Sequence, residues 1–378
     1  NFTFLVDRPY TKANINIQED WINNGAFEAG NSRVEFDSTV ANTIGGTQNT
    51  TFAELQLNKG AANQYVTQLR PVFIDSSLIL TQGSLLMNNQ TLTMNNNALS
   101  GGTINAPTGP FTRTNGFLIS ESASAQVIWK NLNTVGWRNI PFGNSATAAI
   151  PTYIPYSVQL VSFTNPAGLG DFSVSTYYTA GNALLPPGVT HINTTGGANN
   201  AAGTVDRFWI VGKTAPNTPS SPIAHLTFRF TNGTTTSLPN EKLGMPALNI
   251  INPGRAQPWW NLLTNRAWIR LTTPYTPTNF YTTMQYGVLG TYDSVRVQNY
   301  NWPTLAPQPA GPGLYATTGG YIGDLNPWAI SANSTPLPVE LINFDAKAVG
   351  KHVRLNWSTA SEINNDYFTI ERSKDGIS

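Results

Sequence analysis

Few side chains in this chain are of types that do chemistry. Its three histidines, His191, His225 and His352, are widely separated. His191 sits in a Gly/Asn-rich stretch, His225 opens an apolar run, and His352 falls on the polar side of an alternating run. None belongs to an HExxH pair, a GxSxG elbow, a phosphate-binding glycine loop or an EF-hand loop. Carboxylates on a sheet face can run glycan cleavage, and Asp20, Glu28, Glu35, Asp37, Glu54 and Asp75 are the acids of the N-terminal third. They form no repeated pair, so they read as solvated surface. With 0 cysteines, thiol catalysis, thiolate zinc sites and iron–sulfur clusters are excluded. No loop carries calcium ligands at a persuasive spacing, and neither a metal nor a cofactor is expected. Aromatic residues are the remaining signal. Trp259 and Trp260, in PGRAQPWWNLL with Arg255 nearby, offer flat faces suited to sugars or to a protein partner. Tyr177, Tyr178, Tyr281 and Tyr286 extend this set. A tryptophan pair beside Pro and Gly equally suits core packing at a domain junction.

Composition narrows the class. Charged residues are 11% of the 378, against about 25% in ordinary globular proteins. The net charge of +1 gives no field to draw nucleic acid or an anionic membrane. Gly (32) and Pro (26) are abundant, which fits a turn-rich β-protein with uncharged polar surfaces. No run of apolar residues is long enough for a membrane helix, and no signal peptide is present. Asn1 opens in mid-alternation (NFTFLV), so an upstream segment is expected.

The elements that must position these residues are strands, and the fold class expected is all-β. Residues 1–120 read as β-solenoid-like repeats: INIQEDW, RVEFDS, TFAELQLN, PVFID, SLILTQGSLLMNN and QTLTMNNNALSGG follow one another at roughly 10–20 residues, broken by Asn–Asn, Asn–Gly and Gly–Gly. In the best repeat, Leu78, Leu80, Leu85, Leu92 and Met94 point inward, while Asn88, Asn89 and Asn95–Asn97 turn. Asparagine at such corners tolerates a left-handed backbone and stacks in ladders. Residues 121–334 are richer in aromatics and proline and read as an antiparallel β-sandwich with long loops, held by cross-strand aromatic pairs. Residues 335–378 carry three alternating runs, Glu340–Ala346, His352–Trp357 and Tyr367–Arg372. These match the first strands of a fibronectin- or immunoglobulin-like module, with Trp357 as its core tryptophan. Leu341, Phe344, Val353, Leu355, Trp357, Phe368 and Ile370 are its apolar set. Such a module needs about seven strands, so three leave an apolar face and an edge; either the sequence is a piece of a longer module, or a neighbouring chain completes the sheet by strand donation.

Two stretches resemble one family. LPVEL-x-x-F followed by V-x-L-x-W-S-T-A-S-E-x-N-N-D-Y-F-x-I-E-R-S-K-D-G resembles the C-terminal module of large secreted surface proteins of the Bacteroidota, which leave the cell by the type IX secretion route. W-x-N-N-G-x-F-x-x-G-x-x-x-V-x-F, carried by Trp21, Gly25, Phe27, Gly30, Val34 and Phe36, resembles their β-helix-like stalk repeats. PFGN followed by Y-x-P-x-x-V-x-L is similar to the segment after those repeats. Asp37-Ser38-Thr39 and Asp293-Ser294-Val295 resemble the O-glycosylation acceptors of this phylum, with Ser38 and Ser294 as the acceptors. The resemblance implies an extracellular, cell-surface location, with the secretion machinery as a partner. It implies no activity.

Together these readings lead to a non-enzymatic extracellular structural or adhesive protein, a subunit of a cell-surface filament joined to copies of itself through incomplete terminal β-modules. Two alternatives are a monomeric carbohydrate-binding adhesin using the Trp259–Trp260 region, and a non-catalytic part of a secreted polysaccharide-acting enzyme. A cargo whose C-terminal module serves export alone fits the same residues.

Overall fold

Alternating apolar and polar residues make strands half-buried on one side, and here those sides close on one another. In the computed structural model the described residues are 13–95, 111–144, 151–164, 167–179, 184–187, 189, 203–214, 222–233, 240–242, 255–261, 266–268, 283–289, 291–301, 326–331, 341–350 and 352–359. Of 255–261, 266–268 and 283–289, and of residues 301, 326, 341, 342 and 359, only the backbone is described. The protein is all-β, with a solenoid of about 4 turns followed by further sheets. Among the described residues no helix is long and apolar enough to cross a membrane.

The solenoid strands are β1 (Asn14–Ile17), β2 (Trp21–Asn23), β3 (Arg33–Phe36), β4 (Asn42–Gly46), β5 (Thr50–Asn58), β6 (Tyr65–Gln68), β7 (Val72–Leu86), β8 (Leu92–Met94), β9 (Phe111–Ile119) and β10 (Val127–Trp129). They pair in parallel along three faces. The first stacks β1, β3, β5, β7 and β9, so that Val34, Leu55, Leu78 and Phe111 form one inward column and Phe36, Leu57 and Leu80 another. All of these are at most 1% exposed. The second face stacks β2, β4, β6 and the ends of β7 and β9. The third stacks the start of β5, the start of β7, β8 and β10, and it buries Phe52, Ile74, Met94 and Trp129 in register.

The inward set expected of the 78–97 repeat is found: Leu78, Leu80, Leu85, Leu92 and Met94 are all 0% exposed. Asn88 and Asn89 take the left-handed conformation, with φ of 47° and 62°. Asn95 donates to Asp75 on the rung below (2.6 Å); Asn96 and Asn97 lie outside the described residues. One difference is that PVFID and SLILTQGSLL form a single 15-residue strand, β7. It serves all three faces because its bends fall inside the strand, one at the register shift between Ile74 and Ser77 and one at a left-handed Gly83 (φ 91°), and not at turns.

Past the solenoid come β11 (Gly136–Ile140), β12 (Tyr156–Ser162), β13 (Phe172–Tyr178), β14 (Arg207–Lys213), β15 (Ile223–Thr231), β16 (Arg255–Asn261), β17 (Arg266–Trp268), β18 (Thr283–Leu289), β19 (Tyr292–Asn301) and β20 (Asn326–Ser331). The third solenoid face does not end at β10. It continues antiparallel through β13, β14, β20, β16 and β17, giving one sheet of 15 strands. A second, 5-stranded sheet, β11-β12-β15-β19-β18, packs on this extension. Aromatic side chains fill the interface: Phe228 contacts Trp209 (5.4 Å) and Trp328 (5.1 Å), Tyr300 contacts Trp328 (5.3 Å), and Tyr156 contacts Phe172 (6.2 Å). Solenoid and sandwich share one apolar core. A final hairpin, β21 (Leu341–Val349) and β22 (His352–Thr359), forms its own two-stranded sheet.

Candidate functional site: an exposed hairpin and buried polar clusters

The hairpin's register decides which of its side chains share a face. Phe344 lies opposite Trp357, Ala346 opposite Leu355, and Ala348 opposite Val353. On this apolar face Phe344 is 56%, Val353 64% and Trp357 38% exposed, and Leu355 is half-buried. The other face sets Lys347 directly across from Arg354, a like-charge pair that disfavours the ribbon standing alone. A two-stranded ribbon is marginal in water, and an apolar face of this kind marks a contact surface. Leu341 begins β21 opposite Thr359, with its side chain outside the described residues. Phe368 and Ile370 lie outside them entirely.

Other candidate sites are placed differently. Arg255, Trp259 and Trp260 fall in β16, which pairs with β20 and β17; their side chains, and with them the sugar or partner platform, lie outside the described residues. Ser38 is 6% exposed. Its hydroxyl donates to Asn42 Oδ1 (2.8 Å) and accepts from Lys59 Nζ (2.8 Å), so the folded chain does not present it to a glycosyltransferase. Ser294 is half-buried in β19, between Arg229 of β15 and Gly287 of β18. The neighbouring Asp293 is fully buried and binds Lys242 Nζ (2.6 Å) and Asn232 Nδ2 (3.0 Å). His225 accepts from the Asn299 backbone N–H through Nδ1 (2.8 Å), and burial together with the Arg296 charge holds its pKa below the usual value. His352 is exposed in β22, and His191 lies outside the described residues.

Most of the solenoid acids are not idle surface. Asp20 accepts from Thr43 N (2.7 Å), Glu35 from Asn58 (2.9 Å), Asp37 from Asn16 (2.9 Å) and Asp75 from Asn95 (2.6 Å). Glu54 pairs with Arg33 (3.0 Å). Each bond joins one turn to the next, whereas Glu28 is exposed.

The sequence reading missed a buried charge cluster. Arg207, 0% exposed, donates to Glu241 Oε1 from Nε (2.9 Å) and from a terminal nitrogen (2.6 Å). It also donates to Glu121 (2.9 Å), Thr176 (3.1 Å) and the Asn144 carbonyl (3.1 Å). The second oxygens of Glu241 and Glu121 accept backbone N–H groups of Thr231 (2.8 Å) and Tyr178 (2.7 Å). Burial pushes Glu121 above the usual carboxylate range, against the pull of Arg207. The two carboxylates hold the Arg207 guanidinium firmly protonated against its own burial. The cluster ties the turn after β9 to both sandwich sheets. A single arginine inside VDRFWIVG was its one signal. Lys59, 2% exposed, is a second missed residue. Arg138 is a third, fully buried near the Trp129 ring (5.7 Å), with its pKa pushed down to about 10 by burial.

Among the described residues no three His, Cys, Asp or Glu side chains gather to hold a metal. What the geometry does supply is fastening: braces between turns, ion clusters between layers, and one ribbon with exposed apolar side chains. No family model, curated protein or solved structure matches this chain.

Proposed function

We propose that this chain is a non-enzymatic structural protein of the cell exterior, and that it joins to copies of itself in a filament through its C-terminal ribbon. The observation that carries the reading is the exposure of Phe344 and Val353 on the apolar face of a ribbon whose two strands pair only with each other among the described residues. Its occupant is a second copy of the chain, whose strands extend the ribbon and cover that face. A contact between unlike patches repeats without closing, and so propagates. Supporting it, a single hydrogen-bonded sheet runs from β1 to β17, which links solenoid and sandwich in the body of each subunit. The low charge and absence of cysteine fit a surface protein stabilised by burial and sheet bonding. The resemblance of Pro336–Arg372 and of the Trp21–Phe36 repeat to Bacteroidota surface proteins supports a secreted location and export by the type IX route.

Negative-stain microscopy and sedimentation of the purified chain test this, beside a Phe344→Asp/Trp357→Asp variant and a chain cut at residue 332. Fibres from the unaltered chain that both changes abolish, with the strand content of the body retained, are expected. Isolated particles from all three preparations across micromolar concentrations would overturn the filament.

A further inference from the structure

Lys59 follows β5, and its main-chain N–H donates to the Gln82 carbonyl (3.0 Å). Its stem crosses Gly83 so closely that a methyl group there would stand 2.3 Å from Lys59 Cγ. The side chain is thereby turned inward. Nζ donates to Ser38 Oγ (2.8 Å), to the Val40 carbonyl (2.7 Å) and to Asn42 Oδ1. Among the described residues no carboxylate touches it. Asn42 is itself 1% exposed. Its Nδ2 donates to the Gln18 (3.0 Å) and Glu19 (2.8 Å) carbonyls, which fixes the carboxamide plane. Its Oδ1 accepts from both Lys59 and Ser38. A primary amine, a carboxamide and a bridging hydroxyl are thus held in one dry cluster. The hydroxyl accepts from the amine and donates to the oxygen of the carboxamide whose carbon the amine faces.

We propose that this cluster is a self-modification site at which Lys59 and Asn42 become joined by an isopeptide bond, with Ser38 relaying the proton. Lys59 Nζ, which as an ammonium donates all three of these bonds, first gives one proton to solvent, and the neutral amine attacks Cγ of Asn42. Ser38 gives its proton to Oδ1 as it takes one from Nζ, forming a tetrahedral adduct. The adduct collapses as its new O–H proton passes to Nδ2, which leaves as ammonia, restoring the carbonyl. One C–N bond forms and one breaks, and no oxidant or reductant is needed. Burial lowers the proton affinity of the amine, offset in part by the Asp37 carboxylate, and so favours the nucleophilic form. Enclosure of reacting groups in fixed contact supplies the usual advantage of proximity. The product is a covalent staple spanning 17 residues between neighbouring turns. It would do for this chain, which has 0 cysteines, what a disulfide does elsewhere, and reductants would not open it.

Intact mass spectrometry of the purified, folded chain tests the proposal, followed by tandem sequencing of its tryptic peptides. The expected result is a mass short by one ammonia, trypsin no longer cutting after Lys59, and a branched peptide containing Asn42 and Lys59. Succinimide at an Asn–Gly step such as Asn24-Gly25 also loses ammonia, but hydroxylamine opens it and leaves the isopeptide bond intact. Ser38→Ala should slow the appearance of the branched peptide by roughly 100-fold, the scale of a lost proton relay. Lys59→Arg should abolish it. The full sequence mass, with Asn42 and Lys59 recovered in separate peptides from folded protein, would overturn the proposal; Lys59 would then be a buried cation held by three neutral oxygens. Equal rates with and without Ser38 would overturn the relay.

Discussion

Arg207 keeps its charge at 0% exposure because four oxygen-bearing partners converge on one guanidinium. Removing one member of a buried ion cluster strands the others without solvent, at about 3–5 kcal/mol. Arg207→Met should therefore lower the unfolding free energy by that order, read by urea denaturation at neutral pH. Glu121 makes a pH prediction. Its folded pKa lies above the unfolded value, so the folded chain binds the proton more tightly. Its contribution favours folding at acid pH and fades as pH rises through the folded pKa. Glu121→Gln should flatten that part of the stability–pH curve, and an unchanged slope would assign the titration elsewhere. These partners were illegible in the sequence for a plain reason. Glu241 and Glu121 stand 34 and 86 residues from Arg207, and no local pattern encodes such a meeting. Ser38 shows the same limit: its tripeptide reads as an exposed acceptor, and only the fold reveals that it faces inward.

At the scale of the strand, the sequence is more informative. Period-two alternation located the inward leucines of β7 and β8, and paired asparagines located their corner. The hairpin strands fall at 341–349 and 352–359, against runs read at 340–346 and 352–357. The pairing was less legible. Across residues 13–95, side-chain braces between turns join residues 17 to 29 positions apart, longer than the spacing of successive strands, because each turn holds more than one strand. Corners then depend on backbone freedom. Gly46 has φ of 110°, and a methyl group on it would stand 2.2 Å from the Asn23 carbonyl oxygen of the turn below. Gly46→Ala should cost well over the ~1 kcal/mol that alanine gains where the backbone permits it, with a matching fall in Tm by calorimetry. A variant as stable as the parent would show that this corner yields.

For the molecule as a whole, the decisive element is β10. It bonds in parallel to β8 and antiparallel to β13, so one three-residue strand belongs to both solenoid and sandwich. Trp129 at its end is 0% exposed and packs edge-on against Phe111 (5.4 Å). Trp129→Ala should remove about 3–5 kcal/mol and shift a single cooperative melting transition for the whole body. Two separate transitions would show that solenoid and sandwich unfold independently. The sequence marks a change of character between 1–120 and 121–334 but carries no sign that the sheet runs through it, since the partners of β10 come from opposite sides of that change.

The parallel ladder carries one more consequence, for how such a chain changes length over generations. Leu55 lies beside Leu78 in register, and Leu57 beside Leu80. Duplicating or deleting the stretch between one residue and its counterpart returns the chain to the same face, in the same phase, with donors and acceptors meeting as before. Length is thus a heritable variable that costs no new fold. The sandwich can be carried farther from or nearer to whatever precedes it, one winding at a time, while its own surfaces stay unaltered.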